Sequence, residues 1–550
     1  MLKIARSYEE SCRTFRWRIP GRYNLAFDIC DRQTMAGADG HRTALIVEDE
    51  NGTADRYTFH VLRLLSNRLA NVLTAAGVGR GDRVVVSLPP SVEAAIALLA
   101  VTRMGAVAVP VPAGLGAEPM AWRLADSGAR AAVAGGRAVA AVLAAREAAP
   151  RLETVLAVGE APAGSRELWA ALEAASDGFA PAVTRADEPA FLFYSAEAGG
   201  RPTGALHAHR ALPGNLPAVE LALDFFARFG DVLWTSADWM EFDGLMWGLL
   251  PAWHHGVPVV AQTGEFDPER ALALIARQGV RAAFLPPHHL AALCEAAMAR
   301  PHPMPRALAT GPAPLPFSRH EAVERVFGIP ANEIWGGPAT GAVAANCAAL
   351  MECRPGSPGR AVPGITVEAV DPSGRVLRAG DAGMLAAAPA TPGGCLGWWG
   401  SDAPPARLAS GWLNTGMTGS RDLDGYLWPD DPVAEDGVVR IGGRRVVLAE
   451  VEAALAAHPL VRDAALALLP CGDVRAYVVA ADDAPAAGLA AELQAWVGAR
   501  RALHEAPRRV DFVDALPRAA DGRIKRDELT SRPLRLDAPS SDERWTPRRK

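Results

Sequence analysis

Lysine is nearly missing from this chain of 550 residues: of 56 basic residues, only Lys3, Lys525 and Lys550 are lysines. So strong a skew toward arginine points to a compositional bias of the source genome, and it leaves lysine-dependent chemistry almost nothing to draw on. Cysteine is sparse as well. The 7 cysteines stand at 12, 30, 294, 347, 353, 395 and 471, an odd number with no C-x-x-C pair. That excludes a zinc ribbon and a disulfide framework, and it reads as free thiols in a reducing compartment. No apolar run is long and clean enough for a membrane span. The best, Ala94 to Ala113, is interrupted by Arg103, Gly105 and two prolines, and reads as a buried helix followed by a strand. Met1 to Arg6 leads straight to Glu9 and Glu10 without the apolar core of a signal peptide. The formal net charge of −6 gives no electrostatic footprint for nucleic acid. These absences together predict a soluble, cytoplasmic protein.

What is present is globular. Half of the residues are apolar and 21% are charged, which is ample for packed cores. Length alone suggests about three or four domains. Val61, Leu62, Leu65, Leu69, Val72 and Leu73 recur at helical spacing. The buried strand Val84 to Leu88 follows, then a helix over Ser91 to Met104 and a strand over Ala106 to Val111. Further short strands are predicted at 131–134, 154–158, 190–194, 257–261 and 282–285. Helices alternating with such runs predict an α/β fold with largely parallel strands. After about Trp428 the sequence turns polar and turn-rich. Beyond that come a helix (448–458), two strands (464–468 and 475–480) and a helix (487–500), a small α+β unit. From about Pro533 the chain is polar and reads as disordered.

Several motif-like stretches have plain readings. Gly77-x-Gly79-x-Gly81 follows a helix and precedes a strand, the reverse of a dinucleotide fingerprint, so it reads as a connecting loop. Pro355-Gly356-Ser357-Pro358-Gly359 lacks the glycine that a nucleophile elbow needs. The pairs His254-His255 and His288-His289 have no acidic partner at ligand spacing and read as structural. The stretch Phe193 to His209 differs: a strand runs into a Gly-rich loop of small residues, which can offer backbone N–H groups to phosphate. Without a lysine and with Glu197 inside it, the loop taken alone reads as a plain loop.

In context the same segment, with its preceding strand and His207-x-His209 after it, resembles the phosphate loop of AMP-forming acyl-CoA synthetases of the adenylate-forming superfamily, closest in flavour to the acetyl- and medium-chain group. The resemblance spans about Tyr8 to Leu529. It includes Tyr57-Thr58-Phe59, Leu65 to Ala70, Gly79 to Val84, Leu124 to Ala129, Thr235 to Trp239, His255 to Val260, Arg354 to Arg360 and Ala449 to Glu452. It implies a large N-terminal α/β domain with parallel-rich sheets (1–433), a hinge (434–437), a small α+β C-terminal domain (438–532) and a polar tail (533–550). It also implies a two-step ligation in fatty acid metabolism. A carboxylate attacks the α-phosphate of MgATP to give acyl-AMP and pyrophosphate, and coenzyme A then displaces AMP.

Position by position, the chemistry has changed. The family's Thr-Ser-Gly-Thr-Thr-Gly-x-Pro-Lys-Gly reads Ser195, Ala196, Glu197, Ala198, Gly199, Gly200, Arg201, Pro202, Thr203, Gly204. The Tyr-Gly-Gln-Thr-Glu motif, whose glutamate holds Mg²⁺, reads Trp335, Gly336, Gly337, Pro338, Ala339. A hard cation needs an oxygen ligand that alanine lacks. The Thr-Gly-Asp that grips the ribose reads Thr415, Gly416, Met417. The hinge keeps Asp436, with Ala434 at its arginine position. The late Gly-Lys motif reads Gly522-Arg523, with Lys525 two residues on, so Arg523 and Lys525 stand as the catalytic candidates. Nucleotide contacts are expected from Ser195, Gly199, Gly200, Thr203, Gly204, Gly311, Trp335, Gly336, Gly337, Pro338, Thr415, Met417 and Asp436. A substrate pocket is expected near His207 and Trp239, and no protein metal site is expected. The implied ligands are a carboxylic acid, CoA and MgATP, the last used weakly or not at all. The alternative is a pseudoenzyme that binds an acyl ligand or acyl-CoA, as a homo-oligomer or as regulator of a partner synthetase.

Overall fold

The computed structural model describes residues 2–35, 39–195, 202–298, 305–312, 315, 317–389, 391–401, 407–408, 410–429, 438–441, 444–468, 474–481, 484, 488–502, 505–517, 526 and 529. The proposed hinge and the polar tail lie outside these residues.

Two large sheets dominate. One has eight strands, in the spatial order 397–398, 203–208, 189–195, 107–110, 83–87, 131–135, 154–158, 166–167. The other has nine, in the order 360–361, 341–345, 331–337, 307–310, 282–285, 233–235, 259–262, 43–48, 54–58. The interior pairs of both are parallel, such as Val84↔Ala131 and Phe284↔Ala309; antiparallel pairs close both edges of the nine-stranded sheet and one edge of the eight-stranded one. Short β-branched runs alternating with helices give this pattern, because a parallel pair needs a crossover connection.

Capping and apolar spacing place the helices. Phe59–Ala75 starts where the Thr58 side chain accepts from the Val61 N–H at 3.2 Å, and ends before Gly77 at φ 81°. Val92–Arg103 starts at Ser91 in the same way. Both helices lie in the largest apolar core, which also holds Leu45 and Leu233 of one sheet and Val84 and Phe191 of the other. That core is sandwiched between the sheets. The stretch read as a broken apolar run is therefore a buried helix and strand, and no described helix is long and apolar enough to cross a membrane.

Gly77, Gly79 and Gly81 sit in the loop between a helix ending at Ala75 and a strand starting at Arg83. A four-stranded antiparallel sheet (367–370, 383–387, 413–421, 427–429) completes the large part of the chain. The small part holds Leu448–Ala456, Val461–Leu468, Val474–Ala480 and Leu489–Arg500, close to the predicted bounds. It adds a parallel strand, Arg509–Phe512, and a hairpin, 438–441 with 444–447, that periodicity did not reveal. The free cysteines Cys12, Cys30, Cys294, Cys347, Cys353 and Cys395 form no disulfide among the described residues.

Arg103 is fully buried in this core. It donates to Asp31 at 2.7 Å and to the Ser66 hydroxyl at 3.2 Å. Removing one partner of a buried pair strands the other charge. Arg103→Met is expected to cost about 3–5 kcal/mol in denaturant titrations. The double variant Arg103→Met/Asp31→Asn should cost less than the sum of the two singles; strict additivity would show that the pair does not interact.

Candidate functional site

The strand Pro189–Ser195 enters the Gly-rich loop and the strand Thr203–Ala208 leaves it, paired so that Ser195 faces Thr203 and Tyr194 faces Gly204. Gly204 is pinned on three sides. A β-carbon there would lie 2.8 Å from Leu192, 2.9 Å from Trp399 and 3.1 Å from Tyr194. Its carbonyl accepts from the Trp399 N–H at 2.7 Å, and the Leu206 carbonyl accepts from Leu396 at 2.6 Å. The loop-exit strand is thus stitched to the segment 391–399. The same segment reaches the other sheet, since the Cys395 N–H donates to the Ala339 carbonyl at 3.2 Å. Gly204, His207, Pro338 and Ala339, distant in sequence, are brought together by this bridge. Sequence reasoning missed the bridge; its only signals were Gly393-Gly394 and Trp398-Trp399.

His207 is fully buried against Phe193 and Phe242, with ring centroids at 5.6 Å and 5.1 Å. Neither ring nitrogen has a hydrogen-bond partner of good geometry. Burial pushes this imidazole down to about 3, against a small upward pull from the Pro338 backbone. Its neighbour His209 accepts from the Leu25 N–H at 3.2 Å through Nδ1, and burial lowers it to about 4. Trp239, the other expected pocket residue, is also fully buried, and its indole N–H finds no partner among the described residues.

The strand Ala331–Gly337 supplies the second half of the site. Glu333 is buried and uses both oxygens: His320 Nε2 lies 2.7 Å from one, and the Leu315 N–H donates to the other at 3.0 Å. Burial raises its pKa, and His320 opposes the rise. The pair fixes the chain leaving Gly311, where a β-carbon would come 2.1 Å from the Ile334 carbonyl and φ is 151°. Only glycine fits there. Sequence reasoning did not single out Glu333 or His320, because nothing in their spacing marks them as a pair.

Trp335 turns into an apolar cluster with Val343, Ala344, Leu385 and Leu413, and Met417 packs against that cluster. The Thr415 hydroxyl donates to the Leu385 carbonyl at 2.6 Å and accepts from the Met417 N–H at 3.3 Å. Its oxygen is spent on backbone. Thr203 lies half-buried at the loop exit. Gly199, Gly200, Asp436, Arg523 and Lys525 lie outside the described residues, and of Ser195 only the backbone is described.

Mg²⁺ demands several oxygen ligands. Trp335 packs into an apolar cluster, Ala339 brings no side-chain oxygen and its carbonyl already accepts from Cys395, and Glu333 is committed to His320 and Leu315. Among the described residues no group of three His, Cys, Asp or Glu is placed to hold a metal ion. Position 339, where the resemblance places the Mg²⁺-holding glutamate, brings no carboxylate to this cation.

The fold adds partners that spacing along the sequence cannot show. His254 and His255 gain acidic partners supplied from far along the chain. His254 Nδ1 lies 2.6 Å from Asp28, and His255 Nε2 lies 3.0 Å from Glu220. A search along the sequence could not find partners that only the fold brings close. His289 Nδ1 lies 2.8 Å from the Ser236 hydroxyl.

Two parallel-rich sheets with a Gly-rich strand-loop-strand at their junction, joined to a small α+β unit, define an adenylate-forming fold. The family model described as "AMP-binding enzyme" matches residues 33–391, and "AMP-binding enzyme C-terminal domain" matches 450–523. The chain belongs to the AMP-binding enzyme family and resembles its acyl-CoA synthetases. An acetyl-coenzyme A synthetase of Methylobacillus flagellatus is 28% identical, over 97% of this chain and 88% of that protein. A mitochondrial acyl-coenzyme A synthetase of Mus musculus is 28% identical, over 95% of this chain and 93% of its own length. The crystal structure of a Brucella canis acyl-CoA synthetase superposes with a TM-score of 0.70 at 26% identity, covering 96% of this chain and 98% of that one.

The buried histidines make acid stability a test of this geometry. An unfolded histidine titrates near 6.5, while His207 in the fold stays neutral down to about 3. Below pH 6.5 the unfolded chain takes up a proton that the folded chain refuses. Stability therefore falls as pH drops from about 6.5 toward 3, by up to about 1.4 kcal/mol per pH unit for each such group. His207→Phe should flatten this acid limb in urea titrations between pH 6 and pH 4. An unchanged slope would mean that the imidazole is already charged in the fold.

Proposed function

We propose that this chain is an acyl-CoA synthetase family protein that keeps a carboxylic acid and CoA as ligands but turns over MgATP weakly or not at all. The observation that carries this reading is Met417. Where the resemblance places the ribose-gripping aspartate, a thioether packs beside the apolar cluster that also holds Trp335. A ribose hydroxyl pair brought there meets a thioether where the family offers a carboxylate, and burying hydroxyls without their partner is costly.

Ala339 and Thr203 point the same way. Alanine has no oxygen for Mg²⁺, and a threonine hydroxyl cannot neutralise polyphosphate as an ammonium does. In a working member MgATP supplies the electrophilic phosphorus. Here the roles left to the chain are the family's binding ones. The loop of Ser195, Gly199, Gly200 and Gly204 would supply backbone N–H groups, Gly311 and Gly336 to Pro338 would line the base side, and His207 and Trp239 would flank the acyl side. Asp436, in the 434–437 hinge, and Arg523 with Lys525, in the small domain, would complete the site. Loss of one preorganised charge-stabilising group typically costs about 10²–10³ in rate. Such effects are not additive, but several together leave little standard adenylation. A cytoplasmic setting is part of the reading and rests on the sparse, free thiols.

Pyrophosphate exchange and hydroxamate formation across short, medium and aromatic acids should fall at least about 10²-fold below ordinary relatives. Turnover at their level would overturn the reading. Calorimetry distinguishes the remaining options: CoA or acyl binding without MgATP binding would favour a non-catalytic binder or a regulator of a partner synthetase. Joint reversion by Thr203→Lys, Ala339→Glu, Met417→Asp and Arg523→Lys should raise exchange at least about tenfold, since the first three restore charged groups and the last replaces a planar cation with a compact ammonium.

A further inference from the structure

The small unit touches the large one through a contact that neither the motifs nor the site explain. The helix Ala117–Ser127 begins at Gly116, whose N–H donates to the Arg501 carbonyl at 2.7 Å. Leu115 and Ala502 form a one-residue antiparallel bridge. Ala502 is 1% exposed and belongs to the same apolar core as Val85, Val109 and Leu124 of the large unit. A residue of the small unit is therefore seated in the core of the large one.

The fit at Gly116 is backbone against backbone. A β-carbon there would lie 2.4 Å from the Ala499 carbonyl oxygen and 2.9 Å from that of Arg501. Its own backbone, φ −72° and ψ 176°, is open to any L-residue. Glycine is required by the docked partner and by nothing within its own helix.

Charges surround the contact. Arg501 pairs with Glu450 and, at 2.9 Å, with Glu505. Arg123 of the 117–127 helix feels Glu505, Glu450 and Arg501 across the interface, and burial lowers it to about 10. The same guanidinium sits 5.8 Å from the Tyr194 ring, and the Tyr194 hydroxyl donates to Asp126 at 2.6 Å. Tyr194 pairs with Gly204 and precedes Ser195 at the start of the Gly-rich loop.

We propose that the segment 499–502, centred on Arg501, is a latch that docks the small unit against Gly116, and that Arg123 and Tyr194 couple this docking to the loop-bearing strands. The latch does not depend on whether MgATP is turned over. Undocking frees the backbone of Gly116 and Arg501 and removes the acidic cluster facing Arg123, so the packing on Tyr194 loosens with it.

The test uses the full chain and Gly116→Ser. Serine suits the capping position at a helix start, so the helix itself is kept while the β-carbon collides with the docked carbonyls. Hydrogen exchange at residue 116 and at 499–502 should speed up about tenfold or more, with a smaller increase along 191–194 and 203–206. The radius of gyration from X-ray scattering should rise. Protection across 83–87 and 131–135 should stay within about twofold of the parent. Unchanged exchange and scattering would overturn the latch. Faster exchange at 116 with none along 191–194 would overturn the coupling. A milder variant guards against misfolding: Arg123→Gln keeps the helix and removes the cation on the Tyr194 ring, and it should speed exchange along 191–194. Exchange there within about twofold of the parent would overturn the role given to Arg123.

Discussion

The segment 391–394 lies so close to its neighbours that no side chain fits between them, and the junction of the two large sheets depends on that approach. A β-carbon on Gly214 would fall 2.1 Å from the Gly393 nitrogen, and one on Gly341 would fall 2.7 Å from the Gly393 carbonyl carbon. Asn215 completes the junction. Its side-chain oxygen accepts from the Trp247 indole at 3.2 Å and the Ala342 N–H at 2.8 Å, and its amide donates to the Ala211 carbonyl at 2.8 Å. A buried amide satisfied on both ends specifies one arrangement, because any other leaves polar atoms unpaired. From this point 391–399 reaches Gly204 on one side and Ala339 on the other, and the candidate site takes its shape.

That junction separates what persisted in this chain from what changed. The glycines that permit close approach, Gly204, Gly311, Gly336 and Gly341, are all in place, and each is enforced by a backbone or side chain within about 3 Å. Replacing any of them would push apart elements that carry the core. The residues that would meet a nucleotide are under no such constraint. Met417 packs against the apolar cluster of Trp335 and Ala339 sits in a turn, and neither position is held by a close backbone approach of the kind that demands glycine. Scaffold and site chemistry therefore answer to different physical constraints.

Much of the architecture was legible along the chain. The strands 154–158 and 282–285 match their predicted bounds, and the capped helices start within a few residues of the expected positions. Periodicity and caps are local, and a buried parallel strand carries its signature within five residues. The antiparallel sheet of 367–429 was not legible, since its strands are half-exposed and broken by Gly and Pro. Of the site, Gly204, Trp335 and Met417 were singled out through resemblance alone. The Glu333–His320 pair and the acidic partners of His254 and His255 were not. Those contacts join residues whose spacing means nothing until the strands are laid side by side.

Residue identity and local period were enough for the α/β class and the family, and they put Thr203, Ala339 and Met417 at uncharged positions. What surrounds those positions came from the fold. It put Met417 beside the cluster of Trp335, tied both oxygens of Glu333, and buried His207 where it stays neutral. Burial and long-range contacts set those properties, and both arise only when distant segments share one core.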